Sequence, residues 1–170
     1  KGYPRNDILI ENSSSKRNKI KDSFNIQKDI KILLFAPTFR RETAKNKTKH
    51  QLTNIDLLEV VTTLEKVTND NWICFIRAHS AVSGLTGIPD DNRLIDVSKH
   101  EDMSELLLIS DILITDYSSS AGDFALLKRP IILFQNDREE YLERDRTFYF
   151  DIDKSPFKVA MNQTELISII

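Results

Sequence analysis

Short apolar runs alternate along this chain with segments in which apolar residues recur at helical spacing. The runs are apolar at nearly every position, which is typical of parallel strands buried on both faces of a sheet. The predicted strands are residues 31–36, 72–77, 93–97, 112–115 and 131–134. Strands that alternate with helices in this way predict an α/β fold with a doubly wound parallel sheet.

Helices are predicted between the strands and near the end of the chain. Asn54 can cap a helix with one apolar face. That face consists of Leu57, Val60, Val61, Leu64 and Val67. Asp102 and Glu105 resemble a capping box at the start of the next helix. Residues 137–146 are predicted to be a charged helix or loop, and residues 163–170 begin a last helix.

The first part of the chain is polar and irregular. We predict that residues 1–29 are a linker with a short helix around residues 16–24, and that residues 30–170 form one domain. A chain of 170 residues is long enough for one domain with a sizeable core.

Composition excludes several classes of protein. Twenty-four basic and 26 acidic residues give a net charge of −2, so no overall field attracts nucleic acid or a membrane surface. No apolar run approaches the roughly 18 residues that a membrane span requires. Cys74, the only cysteine, lies in an apolar run. It is therefore predicted to be a buried structural thiol in a reducing compartment.

Three polar segments follow predicted strands. They are residues 37–41, 77–80 and 116–120, and they contain three arginines, a histidine and several hydroxyl groups. Because the carboxyl ends of parallel strands meet at one edge of the sheet, these segments are expected to converge on one crevice. Such a crevice could hold an anionic ligand.

The third segment is the most informative. Asp116 and Tyr117 end a strand and are followed by Ser118, Ser119 and Ser120 at the start of a short helix. The N–H groups at a helix start bind anions, so the loop is predicted to hold a phosphate. Alternatively, one serine caps the helix, and Asp123 closes a capping box with Ser120.

The other candidates also have alternative interpretations. Arg40 belongs to a basic stretch that could be a solvated surface. His79 stands at a strand end near Arg77, where it could donate to a phosphate, act as an acid or be a structural histidine. One cysteine and three scattered histidines lack the spacing of a zinc site, so no metal site is predicted.

Four segments in this order resemble those of one enzyme family: ILLFAPTFR, IRAHS, SDILITDYSSSAGDFALLKRPIILF and RTFYFD. The family is the CDP-glycerol:poly(glycerophosphate) glycerophosphotransferases, the bacterial teichoic-acid primases and polymerases, with related capsule-polymer synthases. The resemblance covers about residues 31–151, and the opening GYPRND is similar to the segment that leads into this half. It implies a GT-B enzyme of two Rossmann-like domains. This chain would be the carboxyl-terminal, nucleotide-binding half, with residues 1–29 leading from an amino-terminal domain.

The resemblance also implies roles for residues of the first two segments. Thr38 and Arg40 would line the donor pocket. Arg77 and His79 would approach the diphosphate, with His79 as the catalytic candidate that stabilises the leaving phosphate. The family usually has proline after this histidine, whereas this chain has Ser80.

In the third segment, the resemblance implies a phosphate-binding loop. Ser118, Ser119 and Ser120 would contact the donor through side chains and helix-start amides, and Asp116 would orient the loop. The implied reaction transfers glycerol phosphate, or a related polyol phosphate, from a CDP-activated donor to a growing cell-surface polymer and releases CMP.

The same resemblance implies partners and a location. The polymer acceptor would be held by the amino-terminal domain, and the enzyme would act at the cytoplasmic face of the bacterial membrane without spanning it. No cofactor is implied, although a divalent ion stays an alternative. A sugar-nucleotide glycosyltransferase or epimerase of the same architecture and a non-catalytic nucleotide-binding module are the competing hypotheses.

Overall fold

The computed structural model describes residues 3–38, 50–51, 55–78, 85–86, 88–144 and 155–170. Its strands are β1 (Lys31–Phe35), β2 (His50–Gln51), β3 (Trp72–Ile76), β4 (Leu85–Thr86), β5 (Leu94–Asp96), β6 (Ile112–Thr115), β7 (Ile131–Phe134) and β8 (Lys158–Ala160). A 3₁₀ turn (Pro4–Asn6) precedes the helices. They are α1 (Asp7–Glu11), α2 (Ser14–Ser23), α3 (Leu57–Thr68), α4 (Met103–Ile109), α5 (Ser120–Ala125), α6 (Arg138–Arg144) and α7 (Gln163–Ile169).

Six strands form one parallel sheet in the order β5-β3-β1-β6-β7-β8. Numbered among themselves along the chain, they follow the order 3-2-1-4-5-6 of a Rossmann sheet. The order reverses between β1 and β6, where Leu33 pairs with Ile112 and Phe35 with Ile114. The predicted α/β fold with a parallel sheet is confirmed.

The sequence does not predict β2, β4 or β8. β2 and β4 are two residues long and pair in parallel as a separate sheet. β8 lies at the edge of the main sheet, and only Ala160 among its residues is buried. Such short or half-exposed strands lack the unbroken apolar run that marks a buried parallel strand.

Helices cover both faces of the main sheet. One face packs against α1, α2, α4 and α5, through residues such as Leu9, Leu106 and Phe124. The other face packs against α3 and α7, through residues such as Val60 and Leu166. Alternate residues of each central strand point to opposite faces, so each strand contributes to both cores.

The residues before β1 are part of the first core. Leu9, Ile20 and Ile26 are each at most 9% exposed and pack with the residues of α4. The predicted short helix is found as α2. A domain boundary at residue 29 stays a prediction, but the packing joins the described residues on both sides of it in one core.

Two predicted helix starts differ from the structure. Asp56, not Asn54, caps α3, and its carboxylate accepts a hydrogen bond from the Glu59 amide at 2.9 Å. Asn54 lies outside the described residues. Asp102 caps α4 as predicted, but Glu105 binds His100 Nε2 at 2.9 Å instead of closing a capping box.

The predicted apolar face of α3 is correct except at its end. Leu57, Val60, Val61 and Leu64 are buried, whereas Val67 is 63% exposed. Val67 belongs to the last turn of the helix, which extends past the edge of the core. The helical period therefore identified the buried face but not the point at which burial stops.

Cys74 lies on β3 and is fully buried, as predicted. Burial raises the pKa of its thiol, which keeps the sulfur protonated and unreactive. None of the described helices has the length and hydropathy that a membrane crossing requires. Within the same residues, no three His, Cys, Asp or Glu side chains are grouped as metal ligands would be.

Asp111, which directly precedes β6, links α2 to β1. Its carboxylate accepts hydrogen bonds from Arg17 Nη2 at 2.6 Å and from the Ile32 amide at 2.9 Å. We expect Asp111→Ala to lower the free energy of unfolding by about 3 kcal/mol, because it removes two largely buried charge-assisted hydrogen bonds. Urea unfolding measures this loss. Asp70→Ala at an exposed site is the control, and equal stability of the two variants would contradict the prediction.

Candidate functional site

The loops that follow β1 and β6 meet where the strand order reverses. Asp116 is 5% exposed, and its Oδ1 accepts hydrogen bonds from the Thr38 amide at 2.7 Å, the Thr38 hydroxyl and the Tyr117 amide at 2.6 Å. Beside it, the Thr115 hydroxyl donates to the Ala36 carbonyl at 2.6 Å. Open α/β sheets bind ligands at this position. The structure thus brings together Thr38 and Asp116, which the sequence places 78 residues apart.

The three serines begin directly after this junction and differ in exposure. Ser120 is buried, and its hydroxyl donates to Ser118 Oγ at 2.9 Å. Ser118 Oγ also accepts the Ser120 amide at 3.2 Å. Ser119 is the exposed N-cap of α5, and within the described residues its side chain makes no capping hydrogen bond. Ser118 and Ser119 are therefore the serines of this loop whose side chains are not buried.

The alternative of a capping box between Ser120 and Asp123 is wrong. Asp123 Oδ1 accepts from Asn6 Nδ2 at 2.8 Å, and Asp123 Oδ2 accepts from Arg5 Nη2 at 3.1 Å. Its carboxylate is therefore bound to the 3₁₀ turn, and Ser118, not Asp123, receives the Ser120 amide.

Arg77 follows β3 and contacts the loop that leads into α4. Its Nη2 lies 3.3 Å from the His100 carbonyl and 3.5 Å from the Glu101 carbonyl. Burial lowers the pKa of the guanidinium, and the Asp102 carboxylate partly opposes this shift. Its buried Nε has no hydrogen-bond partner among the described residues. Arg77 thus follows the carboxyl end of β3, the strand next to β1, and its guanidinium is bound to the loop that leads into α4.

Arg40 and His79 lie outside the described residues, as does Ser80. Their predicted roles in the donor pocket and at the leaving phosphate therefore rest on the sequence. The nearest described residues before them are Thr38, two positions before Arg40, and Ala78, directly before His79, which follow β1 and β3.

An aromatic pair supports the serine loop, and sequence reasoning missed it. The rings of Tyr117 and Tyr141 are stacked, with centroids 3.8 Å apart and planes 13° apart. The Tyr117 hydroxyl donates to Asp137 Oδ1 at 3.1 Å. Asp137 and Tyr141 are four residues apart at the start of α6, so they share a helix face. That spacing is visible in the sequence, but their contact with Tyr117 is not.

Gln135 is a second residue that sequence reasoning missed. It follows the last residue of β7 and is fully buried, and neither side-chain atom has a hydrogen-bond partner among the described residues. An unpaired buried amide destabilises the fold because it has lost its bonds to water. A polar residue directly after a wholly apolar strand is the sequence signal that could have identified it.

We expect Gln135→Met to raise the free energy of unfolding by about 1–2 kcal/mol, because methionine keeps the length of the side chain without the unpaired amide. Urea unfolding at neutral pH measures the change. Gln27→Met, at an exposed position, is the matched control and should shift stability by no more than about 0.5 kcal/mol. A destabilised Gln135→Met would show that the amide is satisfied in solution.

The fold and the site define a class: a Rossmann-type α/β domain with a hydroxyl-rich loop at the reversal of strand order. The family model of CDP-Glycerol:Poly(glycerophosphate) glycerophosphotransferase matches residues 1–170. The chain belongs to this family, which confirms the resemblance seen in its motifs.

Individual relatives agree with this assignment. The chain is 39% identical to a teichoic acid glycerol-phosphate transferase of Staphylococcus aureus, over 99% of this chain and 43% of the relative. It is 40% identical to a teichoic acid poly(glycerol phosphate) polymerase of Bacillus spizizenii, over 98% of this chain and 42% of the relative. The chain therefore spans less than half the length of these curated relatives.

A solved structure shares the fold. It is a variant of the wall teichoic acid polymerase TagF soaked with CDPG, and it matches with a TM-score of 0.81 at 33% identity. The match covers 99% of this chain and 41% of that chain. The match therefore accounts for a minority of the larger protein.

Proposed function

We propose that this chain is the donor-binding part of an enzyme that transfers glycerol phosphate, or a related polyol phosphate, from a CDP-activated donor to a growing cell-surface polymer. The Asp116 junction carries the proposal, because it fixes a serine loop at the ligand-binding position of a Rossmann sheet in a member of this family. The names of the relatives and the CDPG-soaked TagF structure support the choice of donor.

The proposed phosphate-binding groups are Ser118 and Ser119. Neither side chain is buried, and Asp116 holds the backbone directly before them. Ser120 has an indirect role, because its hydroxyl is bonded to Ser118. Thr38 shapes the pocket wall through its two hydrogen bonds to Asp116.

The proposed reaction is a phosphoryl transfer. A terminal hydroxyl of the acceptor attacks the phosphorus that carries glycerol. A new P–O bond forms, the hydroxyl proton is released, and the P–O bond to CMP breaks as CMP leaves with the electron pair. Such reactions depend mainly on positioning and charge neutralisation. Arg77 supplies positive charge at the crevice edge, and the resemblance assigns Arg40 to the donor pocket and His79 to the leaving phosphate.

We further propose that catalysis uses a two-domain GT-B arrangement. The described crevice lies at one edge of a single sheet, and a facing domain would position the acceptor hydroxyl and exclude water. The greater length of the relatives supports this arrangement. The enzyme would act peripherally at the cytoplasmic face of the membrane, where a cytosolic donor and a membrane-bound acceptor meet.

Donor class is tested by thermal unfolding of the chain with CDP-glycerol, CDP-ribitol, CMP or UDP-sugars. A cytidine ligand at about a hundredfold excess over its Kd should stabilise the chain by about 3 kcal/mol. Stabilisation by UDP-sugars alone would indicate a glycosyltransferase. An absence of stabilisation by any nucleotide would indicate a non-catalytic interaction module and would contradict the proposal.

The serine loop is tested by the double variant Ser118→Ala with Ser119→Ala. We expect CDP-glycerol affinity to fall about tenfold or more, because two hydrogen-bond donors to phosphate are lost. Stability should fall by no more than about 1 kcal/mol, the usual cost of a lost cap. Calorimetric titration and urea unfolding measure the two effects. Ser155→Ala outside the loop is the control. Unchanged donor affinity in the double variant would contradict the proposed phosphate-binding role of Ser118 and Ser119.

A further inference from the structure

The opening turn of the described chain contacts the helix that follows the serine loop. Asn6 and Arg5 belong to the 3₁₀ turn, and each donates to one carboxylate oxygen of Asp123 in α5. More than one hundred residues separate the partners along the chain. The Asn6 half of the contact is shielded, with Asn6 9% exposed and the Asp123 side chain 17%, whereas the Arg5 side chain is 55% exposed.

Asp123 lies one turn from the serines. Its amide donates to the Ser119 carbonyl at 3.4 Å, and the Gly122 amide donates to the same carbonyl at 3.1 Å. The Ala121 amide donates to the Ser118 carbonyl at 3.3 Å. The backbone of both serines is thus bonded to the helical turn that the Asp123 carboxylate anchors.

Ser118 Oγ accepts the Ser120 amide at the start of α5, and the Asp123 carboxylate takes no part in this capping. An acidic residue in the first turn commonly reaches back to the N-cap amide. Here the Asp123 carboxylate is bound sideways to another element, and the Ser119 hydroxyl makes no capping bond within the described residues. The position of the turn therefore depends on the 3₁₀ turn on one side and on the Asp116 junction on the other.

We propose that Asp123 and Asn6, assisted by Arg5, are positioning residues for donor binding: they hold the first turn of α5 so that Ser118 and Ser119 face the donor phosphates. The inference rests on the proposed role of those serines. The GYPRND segment takes part in no step of the proposed reaction, and this inference gives its residues Arg5 and Asn6 a structural role at the donor site.

A double-mutant cycle tests the inference. Asp123→Ala is made in the unaltered chain and in the variant with Ser118→Ala and Ser119→Ala, and CDP-glycerol Kd is measured by titration calorimetry. We expect Asp123→Ala to raise Kd about tenfold in the unaltered chain and less than about twofold without the serines. Asn6→Ala should reproduce this pattern. An equal rise in Kd with and without the serines would overturn the inference, because it would mean that Asp123 affects donor binding independently of the serines.

Asp111→Ala is the matched control, because it removes a comparable bond between the amino-terminal segment and the sheet at the opposite end of β6. It should lower stability while leaving CDP-glycerol Kd within about twofold. A comparable rise in Kd would show that general loosening, not the anchor, weakens donor binding.

A substitute variant and the Kd of the serine variant distinguish failure of the positioning role from failure of the serine role. If Asp123→Ala does not fold, Asp123→Asn replaces it in the cycle, since it keeps the shape and an acceptor for Asn6 but removes the charge that attracts Arg5. If the serine variant binds CDP-glycerol as tightly as the unaltered chain, the proposed serine role fails. If the serine variant binds CDP-glycerol more weakly but Asp123→Ala raises Kd equally with and without the serines, the positioning role of Asp123 is wrong and the serine role stands.

Discussion

The hydrogen bonds of Asp116 are the constraint on which the candidate site depends. Pairing of β1 with β6 brings two strand ends together, but strand register by itself leaves the following loops independent. One buried carboxylate oxygen accepts from Thr38 and from Tyr117, so it fixes both loops at once. Ionised acceptors form stronger hydrogen bonds than neutral ones, and burial limits competition from water. The serine loop starts from this fixed point.

Charged side chains secure the surrounding fold by binding backbone carbonyls. Arg129 donates to the Leu108 and Ser110 carbonyls, and Arg17 donates to the Ile109 carbonyl, so two cations satisfy the carboxyl end of α4. Lys21 is 2% exposed and donates to the Lys28 and Ile30 carbonyls, and burial lowers its pKa. Because Arg17 and Lys21 come from α2, the same bonds join α2 to the end of α4 and to the residues just before β1.

The site is held from three directions by different interactions. Asp116 bonds it to the loop after β1, the stacked rings of Tyr117 and Tyr141 join it to α6, and Asp123 joins it to the 3₁₀ turn. A loop held in this way loses little conformational entropy when it binds a ligand. In the function proposed above, such a loop would bind an anionic donor through fixed hydroxyl and amide groups, in a chain whose net charge is only −2.

The sequence by itself determined the central strands and the parallel α/β class, because unbroken apolar runs are local signals. It also determined the helix cap at Asp102 and the family, since the capping residue and the TDYSS segment are local signals too. It also placed Thr38, Asp116 and the serines at one sheet edge, since parallel strands leave no other arrangement. Only the tertiary structure decided that Asp123 binds Asn6 instead of capping α5, and that Gln135 is buried without a partner among the described residues. Those outcomes depend on side chains distant in sequence, whose contacts no local period or spacing encodes.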